Sequence, residues 1–411
     1  MDSECSQNEQ ESSRSRTPVT ILSGALGSGK TTLLKYILEK PHGFRVAVIQ
    51  NEFSEEMGIE SPLITDSKGD SFKDIVELPN GCLCCSAKDG LISALDNLLE
   101  DQKRFDYVLV EATGVADPEA ICEIFWVDDG LGSRVYLDGV VTLVDGHNAM
   151  SALDGKEASG SGGDAEELGL EAETSKQVAC ADVLVLNKCD LAAQTDRARI
   201  SERLRRMNPA AKQLESTYAV VSLESILGIR AFDRHRIATQ IADLALPEAG
   251  HGDGHGNDNG HEHGHGNDSE HMHDHDSGYN GNPSERTSGG HSNNGHTVSR
   301  ITGSRVTGHR GIESYLLRGP DSPSALFDPD KVEKWMADVL WDGTAGGVYR
   351  CKGLFWGLHE DADEDEPMEE SSGGVAYALQ GVGRLFEIEE APQVKEVLRS
   401  KFLFVGRQLN R

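Results

Sequence analysis

The chain has 411 residues, of which 37% are hydrophobic and 26% are charged. A chain of this length predicts two or three domains, because one domain usually holds about 100 to 200 residues. The 39 Lys and Arg residues against 69 Asp and Glu residues give a formal net charge of −30, which disfavours binding to nucleic acid and to anionic membrane surfaces.

The sequence shows no targeting or membrane signal. Residues 1–16 are rich in Ser and acidic residues and are predicted to be disordered, and no apolar run approaches the roughly 18 residues that span a bilayer. Three of the eight cysteines are crowded into residues 82–85, unlike the spacing of an extracellular disulfide framework. We therefore expect a protein of the cytoplasm, with the nucleus as an alternative, and no nucleic acid or membrane as a partner.

Residues 17–246 alternate short β-branched runs with longer helical stretches, which is typical of parallel strands joined by crossover helices. The runs expected to form buried strands are Val19–Leu22, Val46–Ile49, Ile75–Leu78, Tyr107–Val110, Val140–Val144, Val183–Leu186 and Ala219–Val221. Residues 155–173 are rich in Gly, Ser and Glu, so we expect a surface insertion there. The pattern predicts an α/β fold with a mostly parallel sheet.

A glycine-rich loop follows the first predicted strand. It matches G-x-x-x-x-G-K-[ST] at every fixed position and consists of Gly24, Ala25, Leu26, Gly27, Ser28, Gly29, Lys30 and Thr31. Such a loop points backbone N–H groups at phosphate oxygens, as does the start of the helix after it. Lys30 is expected to reach the β- and γ-phosphates and Thr31 to bind Mg²⁺, which makes both catalytic. Residues 17–246 are therefore predicted to be a P-loop nucleoside triphosphatase domain.

Two further motifs follow predicted strands. Glu111 ends the run that begins at Tyr107 and is the third predicted catalytic residue, acting through Mg²⁺ or its water; a carboxylate without this role is the alternative. The N-K-x-D motif comprises Asn187, Lys188, Cys189 and Asp190. Its carboxylate can accept from guanine N1–H and the 2-amino group, a donor pair that adenine lacks, so GTP is favoured over ATP. Ser222 is expected to complete the base pocket.

A cysteine cluster lies between the phosphate loop and Glu111. Three thiolates within four residues, Cys82, Cys84 and Cys85, suit Zn²⁺ and leave a fourth position for an exchangeable ligand. Redox-active thiols and unliganded apolar cysteines are the alternatives. Switch loops occupy this position in such nucleotide-binding proteins, so the γ-phosphate could order or release the metal ligands. The residues expected to approach the nucleotide here are Cys85, Ser86, Ala87, Lys88 and Asp89.

Residues 247–308 are mainly Gly, His, Asn, Asp and Ser, so they are predicted to form a disordered linker. Eight of the 15 histidines lie between His251 and His275. Since imidazole titrates at about pH 6.5, most can offer a neutral nitrogen to Zn²⁺. The linker is expected to hold weak auxiliary zinc at His251, His255, His261, His263 and His265, with a linker of no metal function as the alternative.

Apolar patterning returns in residues 309–411. Strands are expected at Ile312–Leu317, Gly347–Gly357, Val375–Val382 and Phe402–Val405, and a helix at Asp330–Leu340. This pattern predicts a small α+β C-terminal domain.

The motifs, in their order along the chain, resemble those of the CobW-type metallochaperone GTPases. The segments that carry the resemblance are GALGSGKT, Asn51-Glu52-Phe53, GCLCC, EATG, NKCD, Arg350-Cys-Lys-Gly353 and Gln380-Gly-Val382. The resemblance covers residues 17–246 and 308–405. Within the family, the segments at Leu78–Ser86, Phe125–Asp128 and Val135–Gly139 are most similar to the eukaryotic zinc-regulated GTPase metalloprotein activators.

The resemblance implies a protein that hands Zn²⁺ to a client metalloenzyme, notably type-1 methionine aminopeptidase, at the expense of GTP. It places zinc on Cys82, Cys84 and Cys85, phosphates on residues 24–31, and guanine on Asn187, Lys188 and Asp190. Residues 1–16 contain no Pro, Leu or Val, unlike the Cys-Pro-x-Leu-Val-Pro docking segment common in that branch. We therefore expect a GTP hydrolase that transfers zinc. A cobalt or nickel insertion GTPase and a non-enzymatic His-rich metal buffer are the alternatives.

Overall fold

The structure is a computed structural model. It describes residues 16–50, 64–65, 71–72, 75–77, 87–100, 105–114, 116–127, 134–149, 165–244, 302–307, 312–320, 326–342, 346–358, 374–394 and 399–409. The predictions made for residues 1–15, for Cys82, Cys84, Cys85 and Ser86, and for the linker histidines lie outside the described residues. Residues 87–89 are described as helical backbone only.

The first part of the chain forms a seven-stranded sheet. Its strands are β1 (Thr17–Gly24), β2 (Val46–Gln50), β5 (Ile75–Glu77), β6 (Tyr107–Glu111), β7 (Val135–Asp145), β8 (Val183–Asn187) and β9 (Lys212–Glu215), in the order β5-β2-β6-β1-β7-β8-β9. Every neighbouring pair is parallel, so all the carboxyl ends meet at one edge. The short strands β3 (Ile64–Thr65) and β4 (Ser71–Phe72) form a separate antiparallel pair. The predicted α/β fold is confirmed.

Both faces of this sheet are buried, which explains the continuous apolar runs. In β2, Ala47 and Ile49 belong to one core cluster and Val48 belongs to another. The helices of this part are α1 (Lys30–Glu39), α2 (Ala87–Glu100), α3 (Pro118–Val127), α4 (Ala165–Cys180), α5 (Gln194–Met207) and α6 (Arg234–Ala242). Helices α2 and α3 pack with the first cluster and α1 packs with the second.

The C-terminal part is a six-stranded antiparallel sheet with one helix. The strands are β10 (Thr302–Thr307), β11 (Ile312–Arg318), β12 (Gly347–Gly357), β13 (Val375–Val382), β14 (Leu385–Glu390) and β15 (Lys401–Arg407), in the order β10-β11-β15-β12-β13-β14. Helix α7 (Pro329–Trp341) packs on one face through Val332, Met336 and Leu340. Residues from the sheet also share a core cluster with α4, α5 and α6 of the first part. The predicted α+β character is confirmed.

Five strands depart from the sequence predictions: the short pair β3 and β4, and three strands at sheet edges. The predicted strand Ala219–Val221 is wrong, because the chain pairs instead at β9, whose sequence Lys-Gln-Leu-Glu is mostly polar. Strand β10 occupies residues assigned to the linker and pairs with β11, and β14 was not foreseen. An edge strand is stabilised by pairing on one side and needs less apolar sequence, so the apolar pattern does not reveal it.

Helix α4 begins at Ala165, inside the predicted insertion at residues 155–173. Its first turns contain Ala, Glu and Leu, which favour helix, beside the glycine that suggested a loop. Among the helices that the structure describes, none is long and apolar enough to cross a bilayer.

Candidate nucleotide-binding site

The phosphate loop joins β1 to α1 and depends on glycines with positive φ. Gly24, Gly27 and Gly29 have φ of 137°, 74° and 108°. A Cβ on Gly24 would lie 2.4 Å from the Leu143 carbonyl oxygen, and one on Gly29 would lie 2.4 Å from Asn187 Nδ2. No side chain is compatible with these two positions, so the loop can approach its neighbours closely.

The start of α1 has no side-chain cap. Its N-cap residue is Gly29, which has no side chain that could bond to the first N–H groups of the helix. The first N–H groups of a helix need acceptors and attract anions. Lys30 is 6% exposed, and its Nζ donates to the carbonyl oxygens of Gly24 at 2.9 Å and Ala25 at 3.2 Å. The loop therefore holds a nearly buried ammonium group beside the helix start, which suits a phosphate group.

Thr31, Glu111 and Gln50 meet where β1, β2 and β6 end. The hydroxyl of Thr31 donates to Oε1 of Glu111 at 2.8 Å, and Nε2 of Gln50 donates to Oε2 at 2.8 Å. Glu111 is nearly buried, at 8% exposed. The two donors fix the orientation of its carboxyl group beside the phosphate loop.

Asn187 at the end of β8 connects the predicted base motif to the phosphate loop. Its Nδ2 donates to the Ser28 carbonyl oxygen at 2.9 Å. Its Oδ1 accepts from Ser216 Oγ at 3.0 Å and from the Ala219 N–H at 2.9 Å. Asn187 is 2% exposed, so its amide is a buried link between the phosphate loop and the loop that follows β9.

Lys188 has a left-handed backbone, with φ of 59°, and its Nζ contacts Asp145 Oδ2 at 2.8 Å. Burial alone opposes ionisation of Asp145, but hydrogen bonds from Lys188, the His147 N–H and Asn148 hold the pKa of the carboxyl group below its ordinary value. Sequence analysis missed Asp145, although a carboxylate that ends a strand was the signal used for Glu111. Asp145 fixes the position of the motif lysine.

The other residues of the base motif divide by exposure. Asp190 is exposed and so is available to a ligand. Cys189 is buried, and its Sγ donates to the Leu186 carbonyl oxygen at 3.2 Å. Ser222, predicted to complete the pocket, is exposed before a short 3₁₀ turn, whereas Ser216 contacts Asn187. Ser222 was expected in the pocket because it follows the predicted strand Ala219–Val221. The chain instead pairs at β9, and Ser216 directly follows that strand.

The described cysteines do not form a metal centre. Among the residues that the structure describes, no group of three His, Cys, Asp or Glu side chains could hold a metal ion. Burial raises the pKa of Cys351 to about 12, and burial likewise raises the pKa values of Cys122 and Cys180. These thiols are therefore held protonated at neutral pH, unlike zinc ligands.

Two family models match the chain. Residues 18–215 match the model described as "CobW/HypB/UreG, nucleotide-binding domain", and residues 322–411 match the "Cobalamin synthesis protein cobW C-terminal domain". Together the matched ranges cover well over half of the chain and include the phosphate loop, Glu111 and the N-K-x-D motif. The chain belongs to the CobW/HypB/UreG family.

Members of the family that resemble this chain have names that refer to zinc. "Zinc-regulated GTPase metalloprotein activator 1" of Schizosaccharomyces pombe is 37% identical over 226 residues, 54% of this chain and 52% of that protein. "Zinc chaperone YjiA" of Escherichia coli is 36% identical over 218 residues, 52% of this chain and 62% of that protein. The chain therefore matches about half to three fifths of the length of these relatives.

A solved structure of the family shares the fold. The "Crystal structure of Zn(II)-bound YjiA GTPase from E. coli" matches 96% of this chain and 95% of that chain, with 24% identity and a TM-score of 0.58. The likeness supports the arrangement of a P-loop domain followed by an antiparallel-sheet domain.

Proposed function

We propose that the chain is a GTP-hydrolysing zinc metallochaperone, which couples GTP binding and hydrolysis to the transfer of Zn²⁺ to a client metalloenzyme. One observation supports this function most strongly: the amide of Asn187 bonds to Ser28, so the predicted guanine motif and the phosphate loop are joined at one sheet edge. The names of the relatives in yeast and Escherichia coli support zinc as the cargo.

The phosphate loop would bind the triphosphate through charge and backbone donors. Phosphate oxygens would replace the carbonyl acceptors of Lys30, which costs little because the ammonium group is already held in the loop. The N–H groups at the start of α1 add further donors. Asp190 would accept from guanine N1–H and the 2-amino group, which selects GTP over ATP.

The oxygens of Thr31 and Glu111 fit Mg²⁺, an ion that takes oxygen ligands and retains several waters. When bound, Mg²⁺ would supply positive charge to the β- and γ-phosphate oxygens. Thr31 would hold the ion through its hydroxyl oxygen. Glu111, still held by Gln50, would accept a hydrogen bond from a water and orient it toward the γ-phosphorus. Hydrolysis would form the new oxygen–phosphorus bond as the bond to the β-phosphate breaks.

The sheet register supports coupling between this site and the cysteines. Gln50, which bonds to Glu111, is the register partner of Glu77 in β5, and the cysteine segment begins five residues after Glu77. A change in the Glu111 contacts would therefore reach the strand that leads to Cys82. Cys82, Cys84 and Cys85 would hold the zinc as cargo, and linker histidines such as His251 and His255 would hold weaker auxiliary zinc.

Transfer to an apo-enzyme tests the proposal. Zinc-loaded protein is mixed with zinc-depleted type-1 methionine aminopeptidase, the client that the resemblance implies, in a chelator buffer with Mg²⁺ and GTP. We expect peptidase activity to recover with GTP and not with GDP, and Lys30→Ala to abolish the difference. Cys84→Ser should hydrolyse GTP without transferring zinc.

The same assay separates the alternatives. Undiminished transfer by Cys84→Ser would overturn the cysteine assignment. Preferential transfer of Co²⁺ or Ni²⁺ in metal competition would change the cargo. Zinc binding without any GTP turnover would make the protein a metal buffer that depends on the histidines.

A further inference from the structure

A groove lies between α7 and the turn that joins β13 to β14. Its volume is about 460 Å³. The residues that line it include Asp330, Glu333, Lys334, Trp341, Arg384 and Phe386. We call it the α7–β14 groove. It lies in the C-terminal sheet, and none of these residues takes part in the nucleotide site.

Trp341 is fixed in this groove and yet exposed. The indole Nε1 donates to the Arg384 carbonyl oxygen at 2.9 Å, and the ring centroids of Trp341 and Phe386 are 6.5 Å apart. The side chain of Trp341 is nevertheless 60% exposed. Because its one polar atom is satisfied and its orientation is set, a partner could cover the ring at a small cost in entropy. Exposed, rigid aromatic residues of this kind anchor protein interfaces.

The strand beside the groove has an open edge. In the part of the chain that the structure describes, β14 is the last strand of its sheet and pairs only with β13. Backbone N–H and C=O groups along the outer edge of such a strand can pair with an added strand. The groove and the open edge are adjacent, since Leu385 and Phe386 belong to both.

The surrounding charge is predominantly negative. Strand β14 carries Glu387, Glu389 and Glu390, and the groove adds Asp330 and Glu333 against the cations Lys334 and Arg384. Burial, followed by the charge of Glu389, raises the pKa of Glu387, which accepts a hydrogen bond from Gln380. Glu389 itself is exposed, so a partner with positive charge can pair with it. A second copy of this chain, with its net charge of −30, fits poorly.

We propose that the α7–β14 groove docks an extended segment of the client enzyme, one that carries Lys or Arg residues around an apolar side chain. The segment adds to the sheet as a strand beside β14 and places its apolar side chain against Trp341 and Phe386. The basic residues lie over Glu389 and the carboxylates at the start of α7. This docking site rests on the proposed chaperone function, because the occupant is taken to be the client.

Selection from a displayed library of random heptapeptides on the full-length protein tests the groove. We expect enriched peptides to combine an apolar residue with Lys or Arg. A synthetic peptide from the selection, followed by fluorescence polarisation, should bind Trp341→Ala about tenfold or more weakly. Methylating alternate backbone nitrogens should also abolish binding, because strand addition needs those N–H groups.

Two variants control the experiment. Tyr218→Ala removes another exposed aromatic side chain, 75% exposed against 60% for Trp341, from the nucleotide-binding part and should leave peptide affinity unchanged. Glu389→Lys keeps Trp341 in place and should still weaken binding of basic peptides. Enrichment of acidic peptides or absence of enrichment would overturn the proposal. Equal peptide affinity of wild type, Trp341→Ala and Glu389→Lys would also overturn it.

Sedimentation and GTP turnover distinguish the remaining outcomes. A dimer that dissociates in Trp341→Ala would assign the groove to self-association and overturn the client proposal. GTP turnover and zinc content are measured on the same preparations, so a failure of the proposed chaperone function appears independently of peptide binding. Trp341→Ala should retain both.

Discussion

Arg350 in β12 donates from Nη2 to Oδ1 of Asp182 at 2.8 Å, and each side chain is only 3% exposed. Lys352 donates to the same oxygen at 3.0 Å, while the Val140 N–H donates to Oδ2 at 3.1 Å. Asp182 directly precedes β8, which ends at Asn187. A buried charge cluster therefore joins the C-terminal sheet to the strand that ends at the N-K-x-D motif.

Asp182→Asn should destabilise the protein by about 3 to 5 kcal/mol, because two buried cations would lose their counter-charge. Urea unfolding measures the change. Glu202→Gln is the matched control, since its ion pairs with Arg205 and Arg206 are exposed and should contribute at most about 1 kcal/mol. Equal stabilities of Asp182→Asn and wild type would refute the role of the cluster.

The cluster also predicts a pH dependence. Burial, together with the charge of Arg350, lowers the pKa of Lys352 from 10.5 to about 8 despite the attraction of Asp182. Between these values the unfolded chain binds a proton that the folded protein has lost, so this group makes the free energy of unfolding rise with pH. The free energy of unfolding of wild type minus that of Lys352→Met should therefore increase above about pH 8. Parallel stability curves from about pH 7 to pH 9 would contradict this assignment.

Two loop glycines provide a matched pair of variants. Gly29→Ala would place a methyl group 2.4 Å from Asn187 Nδ2 and should displace the amide that joins the phosphate loop to the base motif. Gly27 also has a positive φ, 74° against 108° for Gly29, yet a Cβ there would meet nothing within 4 Å. Titration with a fluorescent GTP analogue should show at least about tenfold weaker binding for Gly29→Ala than for Gly27→Ala. Similar affinities would show that the Asn187 contact does not organise the site.

Glu111→Gln should lower kcat for GTP hydrolysis by about 100-fold with little change in KM, because a neutral amide orients the attacking water less well than a carboxylate. Gln50→Ala should produce a smaller loss, since it frees the carboxylate of Glu111 without removing it. Steady-state phosphate release measures both. An unchanged kcat in Glu111→Gln would assign the attacking water to another residue.

Features encoded in local sequence were predictable, and those that depend on distant pairing were not. The phosphate loop, Glu111 and the N-K-x-D motif each follow a strand that is buried on both faces and therefore reads as an apolar run. Strands β9, β10 and β14 are at sheet edges, and their sequences lack a continuous apolar run. The roles of Gln50, Asp145 and Ser216 depend on contacts with residues far away in the chain. The Arg350-Cys-Lys-Gly353 segment was recognisable, but its pairing with Asp182 required the fold.

The affinity of the full-length protein for Zn²⁺ in two nucleotide states tests the central claim most directly. Chelator competition is carried out under reducing conditions with a non-hydrolysable GTP analogue and then with GDP, on wild type and on Cys84→Ser. Linkage requires that any nucleotide effect on zinc affinity is matched by an equal zinc effect on nucleotide affinity. We predict a clear difference between the two states that is lost in Cys84→Ser. Equal zinc affinities in the two states of the wild type would contradict nucleotide-coupled zinc transfer.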